Sequence, residues 1–368
     1  MSLSRHFIGL ALAAACCASL PAAADPRYGV TIVGAADSVG RGINGLGQVV
    51  GNVYSGGESY RAFYGDGTTL LDLGTLGGAS AFAWGINDAG TVVGWAEDAS
   101  GTRRPFSYAG GAMSDLGTLG GANGGFAFAI NNRGQVVGAA ATVTEEAHAF
   151  LYTGGTMQDL GTLPAVDVFD SAARAINENG KIAGGSLTGE FTPPEPSYHA
   201  FVRCCDGTLT DLGTFGGQYS LAQGINDLGD VVGVAATEEF RVNHAFLYSH
   251  GAMTDLGTLD DDTYSEAVDI NNLGQVVGYS AGSGFLYEGG AMVGLNTLID
   301  PASGWNVIDA AAINDAQQIA GTACIAGMCY AVRLDRVSAV PEPATLPMLA
   351  AGLGLFWWAG WRRRSVRR

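Results

Sequence analysis

Charged residues are scarce in this chain, and lysine is almost absent. Only 14% of the 368 residues are charged, whereas an average soluble domain has about 25%. Lys181 is the one lysine, and 18 basic residues face 35 acidic ones. A nucleic-acid-binding protein needs basic side chains to neutralise phosphates, so the sequence argues against that function. The 47% of hydrophobic residues excludes global disorder.

A zinc-protease motif, a phosphate-binding loop and a collagen-like period are also missing. The sequence contains no His-Glu-x-x-His and no phosphate loop. Its 57 glycines have no period of three, which excludes a triple helix. Many glycines with few charges instead predict tight turns between short strands. The length alone suggests two or three domains, although a single all-β domain can be this long.

The N-terminus has the pattern of a secretory signal peptide. Arg5 precedes an apolar run that ends at Leu20, and small residues follow. We expect cleavage between Ala24 and Asp25, which removes residues 1–24. The apolar run is too short to span a membrane, so the pattern predicts export.

The C-terminus has three parts: Pro341-Glu342-Pro343, an apolar stretch at 344–361, and a tail with five arginines. The apolar stretch is just long enough for a transmembrane helix, and the arginines predict a cytoplasmic tail. This order resembles the PEP-CTERM sorting signal of Gram-negative bacteria. The resemblance implies transient anchoring in the inner membrane and processing by an exosortase near Pro343. The mature protein would then be at the cell surface or extracellular.

Removal of both ends makes the protein more acidic. Residues 25–339 include 12 basic and 34 acidic side chains, a net charge of −22. Such a charge favours solubility and could suit cation binding. We divide the chain into the leader, one repeat domain at 25–337, and the sorting segment at 338–368.

Between the two ends, one motif occurs seven times. Each copy has Ile-Asn, four residues that include the turn, an apolar pair and then glycine, and the copies are 43 to 49 residues apart. We number the copies repeats 1 to 7 by their shared isoleucine. These isoleucines are Ile43, Ile86, Ile130, Ile176, Ile225, Ile270 and Ile313.

Repeats 1 to 6 each contain four short strand signals, and repeat 7 contains the first three of them. They are the run into Ile-Asn, the Val-Val-Gly run, an aromatic run and Asp-Leu-Gly-Thr-Leu, with Asn and Gly at the hairpin turns. Four antiparallel strands in this length predict the blade of a β-propeller. Repeat 7 lacks a fourth strand, whereas a spare strand at 28–33 precedes repeat 1. We therefore predict an all-β, seven-bladed β-propeller of four-stranded blades, closed by the N-terminal strand in the last blade.

Three repeats carry the triplet His-Ala-Phe, beginning at His148, His199 and His244. Together with the other motifs in their fixed order, this resembles the HAF repeat, a family of extracellular bacterial repeats, over about residues 28–335. That family has no assigned catalytic activity. Because the three histidines share one repeat position, we expect structural roles for them, and likewise for the repeated aspartates and asparagines.

Four cysteines remain after removal of the leader, in an oxidising compartment. Cys324 and Cys329 flank a four-residue turn, and we predict a disulfide between them. Cys204 and Cys205 are adjacent, and both a vicinal disulfide and two free thiols fit the sequence.

Loops that differ between repeats are the best places for function. On one face of a propeller such loops would collect carboxylates and aromatic rings, which suit sugars or a sugar-bridging Ca²⁺. The loop selected as a possible ligand or cation site consists of Asp260, Asp261, Asp262, Tyr264, Glu266 and Trp305. It lacks EF-hand spacing, so the metal stays unknown, and a solvated acidic rim is the alternative.

Three functions are left open. The sequence favours a non-enzymatic surface or matrix protein that binds polysaccharide or protein partners, without a cofactor or with Ca²⁺ alone. The first alternative is a lyase or glycosidase acting on extracellular polysaccharide, with Glu266, Asp269 and Asp309 as candidate acid and base groups. The second alternative is a purely structural envelope protein.

Overall fold

The structure, a computed structural model, describes residues 27–337 apart from 58, 165–169, 193–194, 205–206 and 240–241, and describes no side chains at 189–196. The predicted cleavage site at Ala24 and Asp25, the sorting motif and the predicted helix at 344–361 lie outside the described residues. Within them, every regular element is a strand except the 3-10 helices Leu295–Thr297 and Pro301–Ser303.

The described strands fall into four classes, with one member of each class in every repeat. The first strands are Ser38–Ile43, Gly77–Ile86, Gly120–Ile130, Ser171–Ile176, Gly216–Ile225, Ser265–Ile270 and Asn306–Ile313. The second strands are Val49–Gly56, Val92–Asp98, Val136–Thr142, Ile182–Thr192, Val231–Thr237, Val276–Ser280 and Ile319–Ile325. The third strands are Ser59–Gly65, Arg103–Ala109, Ala147–Thr153, Glu195–Arg203, Asn243–Ser249, Ser283–Glu288 and Met328–Arg336. The fourth strands are Leu70–Asp72, Ala112–Asp115, Thr156–Gly161, Leu209–Gly213, Ala252–Asp255, Ala291–Gly294 and Tyr28–Ala36.

The strands of each repeat pair in antiparallel order from first to fourth. In the described chain five sheets have four strands, and an eight-stranded sheet joins two further sets through one parallel pairing of Tyr198 with Tyr219. The fourth strand of repeat 7 comes from the N-terminus, because Tyr28–Ala36 pairs with Met328–Arg336. The fold is therefore all-β and propeller-like.

The apolar core is divided among the interfaces between neighbouring repeats. Seven clusters of buried side chains are found in the described chain, and each combines residues of two repeats. In one cluster, Val49 and Phe63 of repeat 1 pack with Ala312 and Ala320 of repeat 7. A phenylalanine from the aromatic run is present in six of the clusters. Burial of such a ring stabilises the fold by about 1.5–3 kcal/mol, which explains why the aromatic run recurs.

The asparagine after each isoleucine links its repeat to the next one. Its Nδ2 donates a hydrogen bond to the backbone carbonyl of the next asparagine in the series, at 2.8–3.3 Å. The seventh of these bonds runs from Asn314 to the carbonyl of Asn44. The Oδ1 atom of each asparagine accepts the N–H four residues later and so fixes the hairpin turn. One residue type therefore shapes the turn and holds the neighbouring repeat.

The repeated histidines contact the repeated aspartates. Nδ1 of His148, His199 and His244 lies 2.7–2.9 Å from a carboxylate oxygen of Asp159, Asp211 or Asp255 on the neighbouring strand. Arginines occupy the same position in repeats 1 and 2, where they pair with the corresponding aspartates. This recurrence is what a structural role predicts.

The position predicted for the fourth strand was wrong by a few residues. In most repeats the strand precedes Asp-Leu-Gly-Thr-Leu, and in three of them it ends at the aspartate of that motif, as at Asp72. The aspartate accepts the N–H of the glycine two residues later, as Asp72 does from Gly74. Because Gly74 has a φ of 81°, the chain turns there toward the next repeat.

A disulfide joins Cys324 and Cys329 across the hairpin of the second and third strands of repeat 7. Cys204 is half-buried after the third strand of repeat 4. Its neighbour Cys205 lies outside the described residues.

Substitution of one linking asparagine should destabilise the whole domain. Asn131 is 3% exposed, donates to the carbonyl of Asn177 and accepts the N–H of Gln135. Asn131→Ala leaves both groups without this partner, so we expect a loss of about 2–3 kcal/mol in the free energy of unfolding. Chemical denaturation measures the change.

Asn123→Ala is the matched control because Asn123 is exposed, and it should change stability by less than about 0.5 kcal/mol. Equal effects of the two substitutions would contradict the linking role of Asn131.

Candidate functional site

Every first strand contains a β-bulge at the same place. In all seven repeats the pairing with the second strand shifts by one residue between the third and the first position before isoleucine. The residue between these positions has no partner in the register. A bulge redirects a side chain out of the regular alternation. The seven bulge residues are Arg41, Trp84, Phe128, Arg174, Gln223, Val268 and Ala311.

The glycine of the Val-Val-Gly run makes this bulge possible. It lies opposite the bulge, where a Cβ atom would approach a carbonyl oxygen of the first strand to 1.8–2.3 Å in all seven repeats. At Gly138, for example, the distance to the oxygen of Phe126 would be 1.9 Å. Only glycine therefore fits there, which explains the repeated Val-Val-Gly run.

The bulge residues of all seven repeats line one cavity of ≈ 410 Å³, which we call the central cavity. Glu266, Asp269 and Tyr279 also line it. A second cavity of ≈ 340 Å³ is lined by the Ile-Asn segments, and Ile43 and Ile86 are among the isoleucines that line both. The volume of the central cavity lies in the range of about 300–1,000 Å³ that is usual for small-molecule sites.

One side of the central cavity is aromatic. The rings of Trp84 and Phe128 lie 4.8 Å apart between centroids. Phe82 and Phe126 lie beside Trp84, each at 6.2 Å. This aromatic wall belongs to repeats 2 and 3, and it offers a rigid apolar surface to a ligand.

The central cavity is also lined by a hydrogen-bonded carboxylate, that of Glu266. Its Oε1 accepts from Gln223 at 2.5 Å, and its Oε2 accepts from the hydroxyls of Tyr264 at 2.6 Å and Tyr279 at 2.7 Å. Burial and the nearby Glu266 raise the pKa of Tyr279 to about 12, and they raise that of Tyr264 as well. Both tyrosines therefore stay protonated donors at neutral pH.

Two guanidinium groups lie at the central cavity. Arg174 lies 4.2 Å above the ring centroid of Phe128, and its buried Nε has no hydrogen-bond partner among the described residues. Burial lowers the pKa of Arg174, and the charge of Glu266 opposes this change. Arg41 is exposed on the cavity wall. In the described chain neither arginine forms a salt bridge.

The other two carboxylates near the inner strands are held by backbone donors. The two carboxylate oxygens of Asp269 accept the N–H groups of Ile270 and Ile313, both at 2.9 Å. Burial raises the pKa of Asp269 to about 6, despite these hydrogen bonds. Asp309 accepts the N–H of Thr322 at 2.7 Å, and burial raises its pKa while the charge of Arg41 lowers it.

The structure separates the residues of the loop selected from the sequence. Glu266 and Tyr264 belong to the hydrogen-bonded group at the central cavity. Asp261 and Asp262 line a different cavity of ≈ 480 Å³, together with Glu238 and Glu239. Asp260 is exposed beside them, and Trp305 packs edge-on against Tyr330 in repeat 7. The described residues include no group of three or more potential metal ligands.

Sequence reasoning missed the bulge residues, although a signal was present. The positions on either side are almost always glycine or alanine, whereas the position between them holds Arg, Trp, Phe, Gln, Val or Ala. A variable position between two restricted ones marks a side chain that the fold itself does not need.

A serine with the spacing of a nucleophile elbow has a structural role here. Residues 278–282 read Gly-Tyr-Ser-Ala-Gly, which fits the Gly-x-Ser-x-Gly pattern of α/β-hydrolases. Ser280 is 0% exposed, accepts the N–H of Leu259 and donates to the carbonyl of Tyr264. It lies in a second strand and not at a strand-to-helix turn, so the context of that motif is missing.

Comparison with known families identifies the C-terminal segment. The model of the PEP-CTERM protein-sorting motif matches residues 339–364. This motif indicates exosortase-dependent export and C-terminal anchoring with display at the cell surface. Among the residues that the structure describes, no helix has the length and apolar character needed to cross a membrane. No curated protein matches the chain.

Solved structures of propeller type are similar to the chain at low identity. A gluconolactonase from Xanthomonas campestris is 12% identical, with 83% of this chain and 90% of that one covered and a TM-score of 0.43. YCF48, solved with D1 peptide bound, is 11% identical, with coverages of 85% and 97% and a TM-score of 0.49. At this level of similarity the activities of these proteins do not transfer to the chain.

Asp269 should make the stability of the domain depend on pH. Its pKa is about 6 in the folded state and near 4 in the unfolded chain, so the folded state binds the proton more tightly. Its favourable contribution is therefore complete below pH 4 and is lost as the pH rises through 6. We therefore measure the free energy of unfolding of the native chain and of Asp269→Ala. The advantage of the native chain over the variant should become smaller between pH 4 and pH 8.

Asp211 provides a contrast of opposite sign. Burial alone would raise its pKa, but hydrogen bonds from His199 and Gly213 lower it overall. The stabilising contribution of Asp211 should therefore be lost as the pH falls below 4. If Asp269→Ala and Asp211→Ala show the same pH trend, the origin assigned to the Asp269 effect is wrong.

Proposed function

We propose that the mature protein is a closed, seven-bladed propeller at the cell surface that binds polysaccharide in its central cavity. The observation that carries this proposal is the cavity itself, because every repeat contributes one bulge residue to it. The chain uses seven similar turns for structure, whereas its seven bulge positions hold six different residue types at the cavity wall. The membership in the HAF-repeat family stays a prediction.

Closure is supported by three contacts between the first and last repeats. Tyr28–Ala36 supplies the fourth strand of repeat 7, Asn314 donates to the carbonyl of Asn44, and Val49 packs with Ala320. The hydrogen bond and the apolar contact have equivalents between consecutive repeats, and the strand pairing completes the four-stranded sheet of repeat 7. The N-terminal strand also covers the edge of Met328–Arg336, which would otherwise be open to edge-to-edge aggregation.

The wall of the central cavity has the chemistry that sugars require. A pyranose ring has an apolar face of C–H groups, which suits the rings of Trp84 and Phe128. Its hydroxyls need donors and acceptors, and Gln223, Tyr279 and Arg174 lie at the same cavity. An apolar wall with a few polar groups that converge on it is the usual composition of a small-molecule site.

The hydrogen bonds of the carboxylates favour binding over hydrolysis. A glycosidase needs one carboxylic acid and one carboxylate that reach the sugar. Here Glu266 already accepts three hydrogen bonds, and both oxygens of Asp269 accept backbone N–H groups. Turnover of an exopolysaccharide that is abolished by Glu266→Gln would require the enzyme alternative instead. A role of Ca²⁺ stays a prediction, which binding with and without EDTA would test.

Loss of the aromatic wall should abolish most of the sugar binding. Trp84→Ala removes the largest ring at the central cavity, so affinity on a glycan array and in calorimetry should fall by about 10-fold or more. Tyr54→Ala is the matched control, because Tyr54 is 49% exposed and absent from the cavity wall. If no saccharide binds the native protein, or if both variants bind equally, the proposed site is wrong.

Processing of the C-terminus should leave a shortened mature chain. Mass spectrometry of the native protein from its cell surface is expected to find an N-terminus at Asp25 and a C-terminus near Pro343. Replacement of Glu342 by Ala within the sorting motif should retain the tail. A mature protein that still ends at Arg368 would contradict processing by an exosortase.

A further inference from the structure

The central cavity contains two positive charges that the binding of a neutral sugar does not require. Residues 25–339 have a net charge of −22, yet two of their 12 basic side chains, Arg41 and Arg174, lie at this one cavity. Within the described chain Arg61, Arg104 and Arg333 form salt bridges with aspartates, whereas Arg103 and Arg133 form none and are exposed to solvent. Arg41 and Arg174 form none within the described chain.

Of the two charges, that of Arg174 lowers the stability of the folded protein more. Its guanidinium is half-buried against Phe128, its Nε lacks a hydrogen-bond partner among the described residues, and burial lowers its pKa. A buried charge without a paired acceptor destabilises the protein unless a ligand supplies that acceptor. Glu266 does not take this place, because Gln223, Tyr264 and Tyr279 already donate to its two oxygens.

We infer that the ligand of the central cavity carries a carboxylate, and specifically that it is a uronic acid residue of a polysaccharide. This inference rests on the proposed function and names the class of sugar. Arg174 binds the carboxylate through its guanidinium, and Trp84 and Phe128 contact the apolar face of the sugar ring. A guanidinium matches a carboxylate through two parallel hydrogen bonds, which a hydroxyl cannot form.

The position of Arg174 also explains how a strongly acidic protein can bind an acidic polysaccharide. The negative surface repels an acidic polysaccharide at long range, although physiological salt screens that repulsion beyond about 8 Å. Binding then depends on the local guanidinium inside the cavity. Because this interaction is short-range and partly desolvated, it depends on salt less than an interaction between exposed charges does.

The test compares glucuronate with neutral counterparts that differ from it at the carboxyl group, using the mature native protein. The probes for calorimetry are glucuronate, its methyl ester, glucose and an oligoglucuronate, with the tripeptide Ala-Ala-Ala as a carboxylate without a sugar ring. Glucuronate should bind about 10- to 100-fold more tightly than its methyl ester or glucose. A free monosaccharide as the ligand predicts equal affinity for glucuronate and the oligomer, whereas a polysaccharide predicts tighter binding of the oligomer.

Two arginine variants separate the role of Arg174 from general effects of charge. Arg174→Gln should remove the preference for glucuronate, so that glucuronate, its methyl ester and glucose bind this variant with equal affinity. Arg133→Gln is the matched control, because Arg133 is exposed at a turn and absent from the central cavity, and it should keep the preference. Thermal unfolding of each variant shows that the domain is folded.

The outcomes separate this inference from the proposed function. If glucose, the methyl ester and glucuronate bind equally, or if Arg174→Gln keeps the preference, the uronic acid is wrong and the sugar site stands. If Ala-Ala-Ala binds as tightly as glucuronate, the cavity recognises a peptide carboxylate and both proposals are wrong. If no probe binds the native protein, the uronic acid is wrong, and the glycan array decides whether the sugar site stands.

Discussion

The close approach of the first and second strands in each repeat is the constraint on which the rest of the structure depends. A carbonyl oxygen of the first strand comes so near the second strand that a Cβ atom there would overlap it, as at Gly94 and Gly233. The bulge that causes this approach turns one side chain per repeat into the central cavity. The same local geometry therefore explains the repeated glycine, the small residues that flank the bulge, and the origin of the cavity wall.

The linking asparagines extend this local geometry into a global one. Each of them fixes its own hairpin through Oδ1 and holds the next repeat through Nδ2, so a turn that is correct locally is also placed correctly relative to its neighbour. The apolar clusters between repeats supply most of the stabilisation, but an apolar contact has little direction. A directional hydrogen bond at the same point of every repeat fixes how the sheets are arranged around the cavity.

Much of the fold could be predicted from the sequence because its signals are local and repeated seven times. The period gave the repeats, and the spare N-terminal strand predicted the pairing that the structure has between Tyr28–Ala36 and Met328–Arg336. The fourth strand was misplaced because Asp72-Leu73-Gly74 looks like part of a strand, whereas its hydrogen bond and positive φ make it a turn. The site was harder to predict, because contacts such as that between Arg174 and Phe128 join different repeats, and the only sequence signal of the bulge is a variable position between two small residues.

The contrast between constant and variable positions locates function in a chain whose repeats are otherwise alike. The linking asparagine of every repeat, and the aspartate that binds histidine or arginine in five of them, have structural roles and cannot change without loss of stability. The side chain at the bulge position has no such structural role, because it lines a cavity and does not take part in the pairing of the strands. Arg174 costs stability there and gains no ion pair within the described chain, whereas a neutral residue such as Ala311 fills the equivalent position of repeat 7 without a charge. A destabilising charge at a position free to vary is most simply explained by a ligand, because binding supplies the acceptor that the fold does not.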